Sequence, residues 1–263
     1  MAHLSLRGHS LGLINGVLFD KDGTLSHSEP HLIQLADART EETIRVFASR
    51  GASSDVQAQL QSLLKRAMGR CEAGLIPDGT LAVASRQHNL LSTATIFCLF
   101  DLSWPQALVL AEEIFDTVDH LHKHSSTKAA LSPRTPLPYS KELLNKLHSA
   151  GVVCAVISND THHGIEQFLD DHGLSHFITG IWSADDTPCK PDPGAVHGLC
   201  KKLNLDPSQC ALIGDADSDL LMARRAGIGS ALGYVAGWHR TPDLTSHQYL
   251  IHHWQELSVA EAQ

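Results

Sequence analysis

The sequence predicts an α/β protein: a Rossmann-like, doubly wound parallel sheet with an inserted all-helical domain. Three observations predict it. Short apolar runs recur without polar alternation at 17–19, 152–157, 210–213 and 228–235, as expected of strands buried on both faces. From about residue 138 these runs alternate with helix-like segments. Between about 30 and 130 no strand-like run appears, so a helical block separates the first strand from its partners.

Taken in order, the 17–19 run ends abruptly at Asp20-Lys21-Asp22-Gly23-Thr24. Asp and Gly are ordinary turn formers, so a surface turn is the plain alternative. Ligands of open α/β sheets, however, sit at the carboxyl ends of strands. A polar connector, Ser26-His27-Ser28-Glu29-Pro30, leads into helices expected over about 30–50, 56–68, 81–99 and 104–122. The proline-rich stretch 132–138 resists helix and marks the return from the insert. Helices are then expected at 139–150, 163–172, 195–203 and 219–226, and strands at 152–157, 177–179, 210–213, 228–235 and 249–251. Gly151, Gly173 and Gly227 close three of those helices. The expected division is therefore residues 1–28 and 132–263 for a discontinuous α/β domain and 29–131 for the helical insert.

Composition narrows the function. A net charge of −9 with no Lys/Arg run argues against a nucleic-acid surface. No stretch of about 18 apolar residues suggests a membrane span, and the N-terminus has no long apolar segment of a signal peptide. Six cysteines without a CxxC pair, several within apolar runs, suggest reduced thiols and a cytoplasmic location. No feature sets an oligomeric state. Among eighteen histidines, His120 and His124 share a helical spacing, but no carboxylate motif accompanies them and a solvated surface is expected.

Three expected strands end in polar groups: Asp20 and Asp22, then Ser158-Asn159, then Asp215 followed by Asp219. Lys190 sits in the stiff loop Pro188-Cys189-Lys190-Pro191-Asp192-Pro193. Parallel strands align their carboxyl ends on one edge, so these groups should converge. Clustered carboxylates stay ionised only when compensated, and one lysine with one divalent cation would suffice. Mg²⁺ prefers one or two carboxylates plus waters and substrate phosphate, which matches this inventory. A hydroxyl, an amide and a lysine are donors suited to phosphoryl oxygens. The plain alternatives stay open: Ser158 as a helix cap, Lys190 as a surface lysine. Asp217 is expected to be a solvated loop residue and Asp192 a structural one.

The set Asp20-Lys21-Asp22-Gly23-Thr24, Ser158-Asn159, Lys190 in Lys-Pro-Asp-Pro, and Gly214-Asp215-Ala216-Asp217-Ser218-Asp219 resembles the four ordered motifs of the haloacid dehalogenase-like superfamily. Ser28-Glu29-Pro30 and the residues Ala223, Ala226 and Gly227 resemble its phosphoglycolate phosphatase and β-phosphoglucomutase branch. That resemblance implies a Mg²⁺-dependent phosphatase acting on a small-molecule phosphate ester, such as phosphoglycolate or a sugar phosphate, through an aspartyl-phosphate. Asp20 would be the nucleophile and Asp22 the acid/base. Lys190 would neutralise the phosphoenzyme. Thr24, Ser158 and Asn159 would serve the phosphate site, and Asp20, Asp22 (by its main-chain carbonyl), Asp215 and Asp219 the metal. The second aspartate, which haloacid dehalogenases lack, favours a phosphatase. Lys21 is shared with P-type pumps, but side chains alternate along an extended segment, so it should point away from Asp20. A phosphomutase with the same machinery, or a non-catalytic protein on the same scaffold, stays open. The insert resembles a substrate-selecting cap, in which Gly79-Thr80 and the stretch around Arg86 and His88 are candidates to reach substrate. His27 in the connector is a third candidate.

Overall fold

The computed structural model describes residues 1–124 and 131–261. It comprises two compact units, Met1–Ser28 with Arg134–Gln263, and Glu29–Pro133. The chain opens with strands β1 Ala2–Leu6, β2 His9–Ile14, β3 Gly16–Phe19 and β4 Ser26–His27. The second unit holds α1 Glu29–Ser49, α2 Ser54–Ala67, β5 Arg70–Cys71, β6 Gly74–Leu75, α3 Thr80–Val83, α4 Arg86–Cys98 and α5 Trp104–His124. The return begins with β7 Thr135–Pro136, α6 Ser140–Ser149, β8 Val153–Ile157, α7 His162–Asp171 and β9 Ile178–Trp182. It continues through α8 Pro193–Leu203, β10 Cys210–Gly214, α9 Asp217–Arg225, β11 Ser230–Tyr234, β12 Tyr249–Ile251 and β13 Leu257–Glu261.

The first unit is the expected α/β fold. Its six-stranded sheet runs β12-β11-β10-β3-β8-β9 and is parallel throughout. Alternate residues of one strand feed opposite layers. Val17 and Phe19 join the core made with Leu143 and Leu147 of α6 and Ile165 and Phe168 of α7. Leu18 joins Val196 and Leu199 of α8 and Leu220 and Ala223 of α9 on the other face. Both faces are therefore covered, which is why these strands carry continuous apolar runs. Each such side chain contributes roughly 1.5–3 kcal/mol on burial.

Register sets up the site. Phe19 lies beside Ile213 of β10 and Val156 of β8, so the three strands end within one residue of one another. Asp20, Ser158 and Asp215 follow directly on those ends.

Several boundaries differ from expectation for local reasons. The Asp192 carboxylate accepts from the Gly194 N–H, so α8 starts at Pro193, two residues early. The helix expected over 81–99 is two helices, because the Ser85 hydroxyl caps a fresh start by accepting from the His88 N–H. The insert is not all-helical: β5 and β6 form a small antiparallel hairpin. It is held by the buried Glu29 carboxylate, which accepts from the Leu75 N–H at 3.1 Å. Two-residue strands carry no periodicity by which to find them.

The terminal sheet is a larger miss. β1 pairs antiparallel with both β2 and β13. Its alternation, with Ala2, Leu4 and Leu6 buried, is a period-two signal five residues long. Arg7 and Gly8, both at positive φ, make the tight turn between β1 and β2.

Candidate active site

Asp20 follows β3, and its N–H donates to the Ile213 carbonyl at 2.9 Å, which ties the residue to the end of β10. The Lys190 ammonium lies 2.6 Å from Asp20 Oδ1 and 2.8 Å from Asp219 Oδ1, and also donates to the Ile157 carbonyl at 3.3 Å. All three of these charged residues are buried. Lys190 is thus no surface lysine. Asp20, Asp215 and Asp219 each bring a carboxylate oxygen within 4.8 Å of the other two.

Three buried carboxylates with one lysine leave uncompensated negative charge. Burial, then the neighbouring Asp219 and Asp22 charges, push the Asp20 carboxyl up to about 6 despite Lys190. Burial and the Asp20 and Asp219 charges push Asp215 well above the usual carboxylate range. Lys190 is held charged: burial opposes its charge, but Asp20 and Asp219 outweigh burial and raise its pKa. Hard carboxylate oxygens clustered around a charge deficit of this sign fit a divalent cation such as Mg²⁺.

Asp215 is oriented by neutral donors. Thr24 Oγ1 donates to its Oδ1 at 2.8 Å, and Trp238 Nε1 donates to its Oδ2 at 2.5 Å. Gly23 is needed beside them: it sits at φ +82°, and a Cβ there would lie 2.3 Å from Trp238 Nε1 and 2.4 Å from Asp215 Oδ2. Thr24, expected at the phosphate, donates its hydroxyl hydrogen bond to Asp215 in this structure.

The Asp22 side chain stands apart from that carboxylate group. The Lys21 ammonium lies 2.8 Å from it and 2.9 Å from Asp160. Arg134 Nε is 3.9 Å from Asp22, and Arg134 Nη1 is 3.4 Å from Asp160. The Ser28 hydroxyl also donates to Asp22. Burial alone would raise the Asp22 carboxyl, but Lys21, Arg134 and these hydrogen bonds outweigh it and hold it below its usual range. Lys21 does point away from Asp20, and its buried ammonium pairs with the half-buried carboxylates of Asp22 and Asp160 rather than with solvent.

Ser158 is buried at the end of β8, where its N–H donates to the Trp182 carbonyl and its hydroxyl accepts from the Asp160 N–H. Thr161, not Ser158, caps α7. Asn159 follows it, half-buried. Asp217 is not a solvated loop residue: it opens α9, and its carboxylate accepts from the Ser246 N–H and from the hydroxyls of Ser246 and Thr245. Asp192 is structural, as expected. His27 is exposed in β4. Within the second unit, Arg86 pairs with Asp116 at 2.7 Å and Asp119 at 2.8 Å. Exposed His88 meets the Ser85 hydroxyl at 3.2 Å.

Sequence reasoning missed Trp238, Arg134, Ser28 and Asp160 as members of this site. Trp238 follows the β11 end at the sheet edge already under suspicion, and that position was its one available signal. Arg134 lay hidden in a proline-rich stretch.

The chain belongs to the haloacid dehalogenase-like hydrolase family, which it matches over residues 14–227. It is an enzyme of the hydrolase and phosphatase class that its motifs lead one to expect. It is 28% identical over 234 residues to a phosphoglycolate phosphatase of Vibrio cholerae, spanning 84% of this chain and 86% of that one. A solved structure described as a predicted phosphoglycolate phosphatase from Haemophilus somnus superposes with TM-score 0.63 at 18% identity, covering 92% of this chain and 95% of the other. A phosphatase of the same superfamily from Thermococcus onnurineus gives TM-score 0.56 at 21% identity, covering 92% and 95%. At those identities the two structures speak for the fold. Among the described residues, no helix is long and apolar enough to cross a membrane.

Proposed function

We propose that this chain is a Mg²⁺-dependent phosphatase of a small phosphorylated metabolite, phosphoglycolate-like or sugar-phosphate-like, working through an aspartyl-phosphate on Asp20. The observation that carries the reading is the buried Asp20, Asp215 and Asp219 group, within 4.8 Å of one another, with Lys190 2.6 Å from Asp20. The curated relatives named phosphoglycolate phosphatase support the substrate class. All six cysteines are free, which supports a reducing, cytoplasmic setting.

Asp20 attacks phosphorus with one carboxylate oxygen, and the bond from phosphorus to the ester oxygen breaks. Asp22 gives its proton to the departing oxygen, then takes a proton from the water that attacks the aspartyl-phosphate. That second attack breaks the bond between phosphorus and Asp20 and releases inorganic phosphate. Lys190 balances the charge on Asp20 throughout. Ser158 and Asn159, at the neighbouring strand end, serve the phosphoryl oxygens. In the free enzyme Lys21 and Arg134 hold Asp22 as carboxylate. An incoming phosphate dianion opposes those cations and favours the protonated form that the first step requires. Asp20, Asp215, Asp219 and the Asp22 main-chain carbonyl would hold Mg²⁺, which supplies Lewis-acid charge between the nucleophile and the anionic ester.

The test is a panel of phosphate esters with Mg²⁺ and a readout of free phosphate. Hydrolysis predicts phosphate release equal to alcohol formed and none from an Asp20→Asn variant. Full activity in that variant sinks the mechanism. Isomerisation of a hexose phosphate without phosphate release would make the enzyme a mutase.

A further inference from the structure

We propose that Trp238 is a positioning residue for the cation site, one whose indole N–H fixes the Asp215 carboxylate toward Asp20 and Asp219. The inference rests on the cation reading above. It starts from an inequality among the three carboxylates. Lys190 bonds to Asp20 and Asp219, whereas among the described residues no lysine or arginine pairs with Asp215. Asp215 instead receives two neutral donors, one on each oxygen: Thr24 on Oδ1 and Trp238 on Oδ2. Neutral donors orient a carboxylate while leaving most of its charge for a cation. Each oxygen keeps a second lone pair.

The loop after β11 is built to deliver that indole. Trp238 is 6% exposed, and its ring lies against Gly23 in the turn that carries Asp20 and Asp22. Gly237 comes so close to that turn that a Cβ on it would lie 1.7 Å from the Gly23 carbonyl oxygen. Further along, Thr245 and Ser246 donate to Asp217, two residues after Asp215. The loop is thus anchored on both sides of the carboxylate it orients. Partners that orient metal-ligating groups typically account for 10–100-fold in metal affinity.

The experiment is a calorimetric Mg²⁺ titration of the metal-free wild-type protein and of Trp238→Phe, which keeps the aromatic packing and removes the donor. The variant should bind Mg²⁺ about 10–100-fold more weakly. In the phosphatase assay its loss should fall on the Mg²⁺ half-saturation concentration more than on kcat. Equal Mg²⁺ affinity in both proteins overturns the assignment and leaves the cation reading intact. A wild-type protein that takes up no Mg²⁺ overturns the cation reading itself, and the assignment with it. Should the variant not fold, the wild-type protein labelled with ¹⁵N-tryptophan decides. The Trp238 indole N–H resonance must shift as Mg²⁺ saturates, and an unmoved resonance overturns the proposal.

Discussion

The Lys21 ammonium, with no solvent exposure of its own, lies 2.9 Å from a carboxylate oxygen of Asp160. The same nitrogen is 2.8 Å from Asp22, so one buried charge joins the turn after β3 to the loop after β8. Removing Lys21 leaves two half-buried carboxylates with Arg134 as their remaining cation. Lys21→Met should lower stability by about 1–3 kcal/mol, measured by urea unfolding. A loss below about 1 kcal/mol would show that Arg134 alone neutralises both carboxylates.

Asp22 should matter in proportion to the leaving group. Acid catalysis contributes about 10²–10⁴-fold, and less where the departing oxygen is already a good leaving group. Asp22→Asn should therefore lose that much on an alkyl phosphate and markedly less on p-nitrophenyl phosphate. Equal losses on both substrates would remove Asp22 from the proton path.

Charge in the Asp20, Asp215 and Asp219 group makes opposite predictions with and without metal. Asp215→Asn deletes one of three crowded charges, so the metal-free variant should melt above metal-free wild type. Mg²⁺ at about 100 times its dissociation constant should stabilise wild type by about 2.7 kcal/mol. It should leave the variant nearly unmoved, and chelation should abolish wild-type activity. Thermal melts with and without Mg²⁺ check both halves, and a variant that gains as much from Mg²⁺ as wild type rules out Asp215 as a ligand.

Tyr139 sits just before α6 at φ +67°, a left-handed conformation costly for a residue with a Cβ. It is 42% exposed, and its ring packs on His253 at 4.8 Å. Tyr139→Gly should stabilise by about 0.5–1 kcal/mol, the strain relief exceeding the lost ring contact. Tyr139→Val should destabilise, since β-branching worsens the same strain. Chemical denaturation of both variants measures the two signs, and a Gly variant less stable than wild type means the ring contact dominates.

The sequence by itself determined the parallel sheet, because strands buried on both faces must be continuous apolar runs, and 17–19 and 210–213 are such runs. It also determined that Asp20, Ser158 and Asp215 would share an edge, because parallel strands align their carboxyl ends on one edge. Local signals reached no further. The β5–β6 hairpin depends on a carboxylate from α1, and β1 needs a strand from the far end of the chain. Which donors Asp215 and Asp22 would receive was decided only by the tertiary structure. Trp238 and Arg134 reach those carboxylates from loops whose own sequences carry no periodicity, and a buried charge takes whatever partner the packed chain brings close to it.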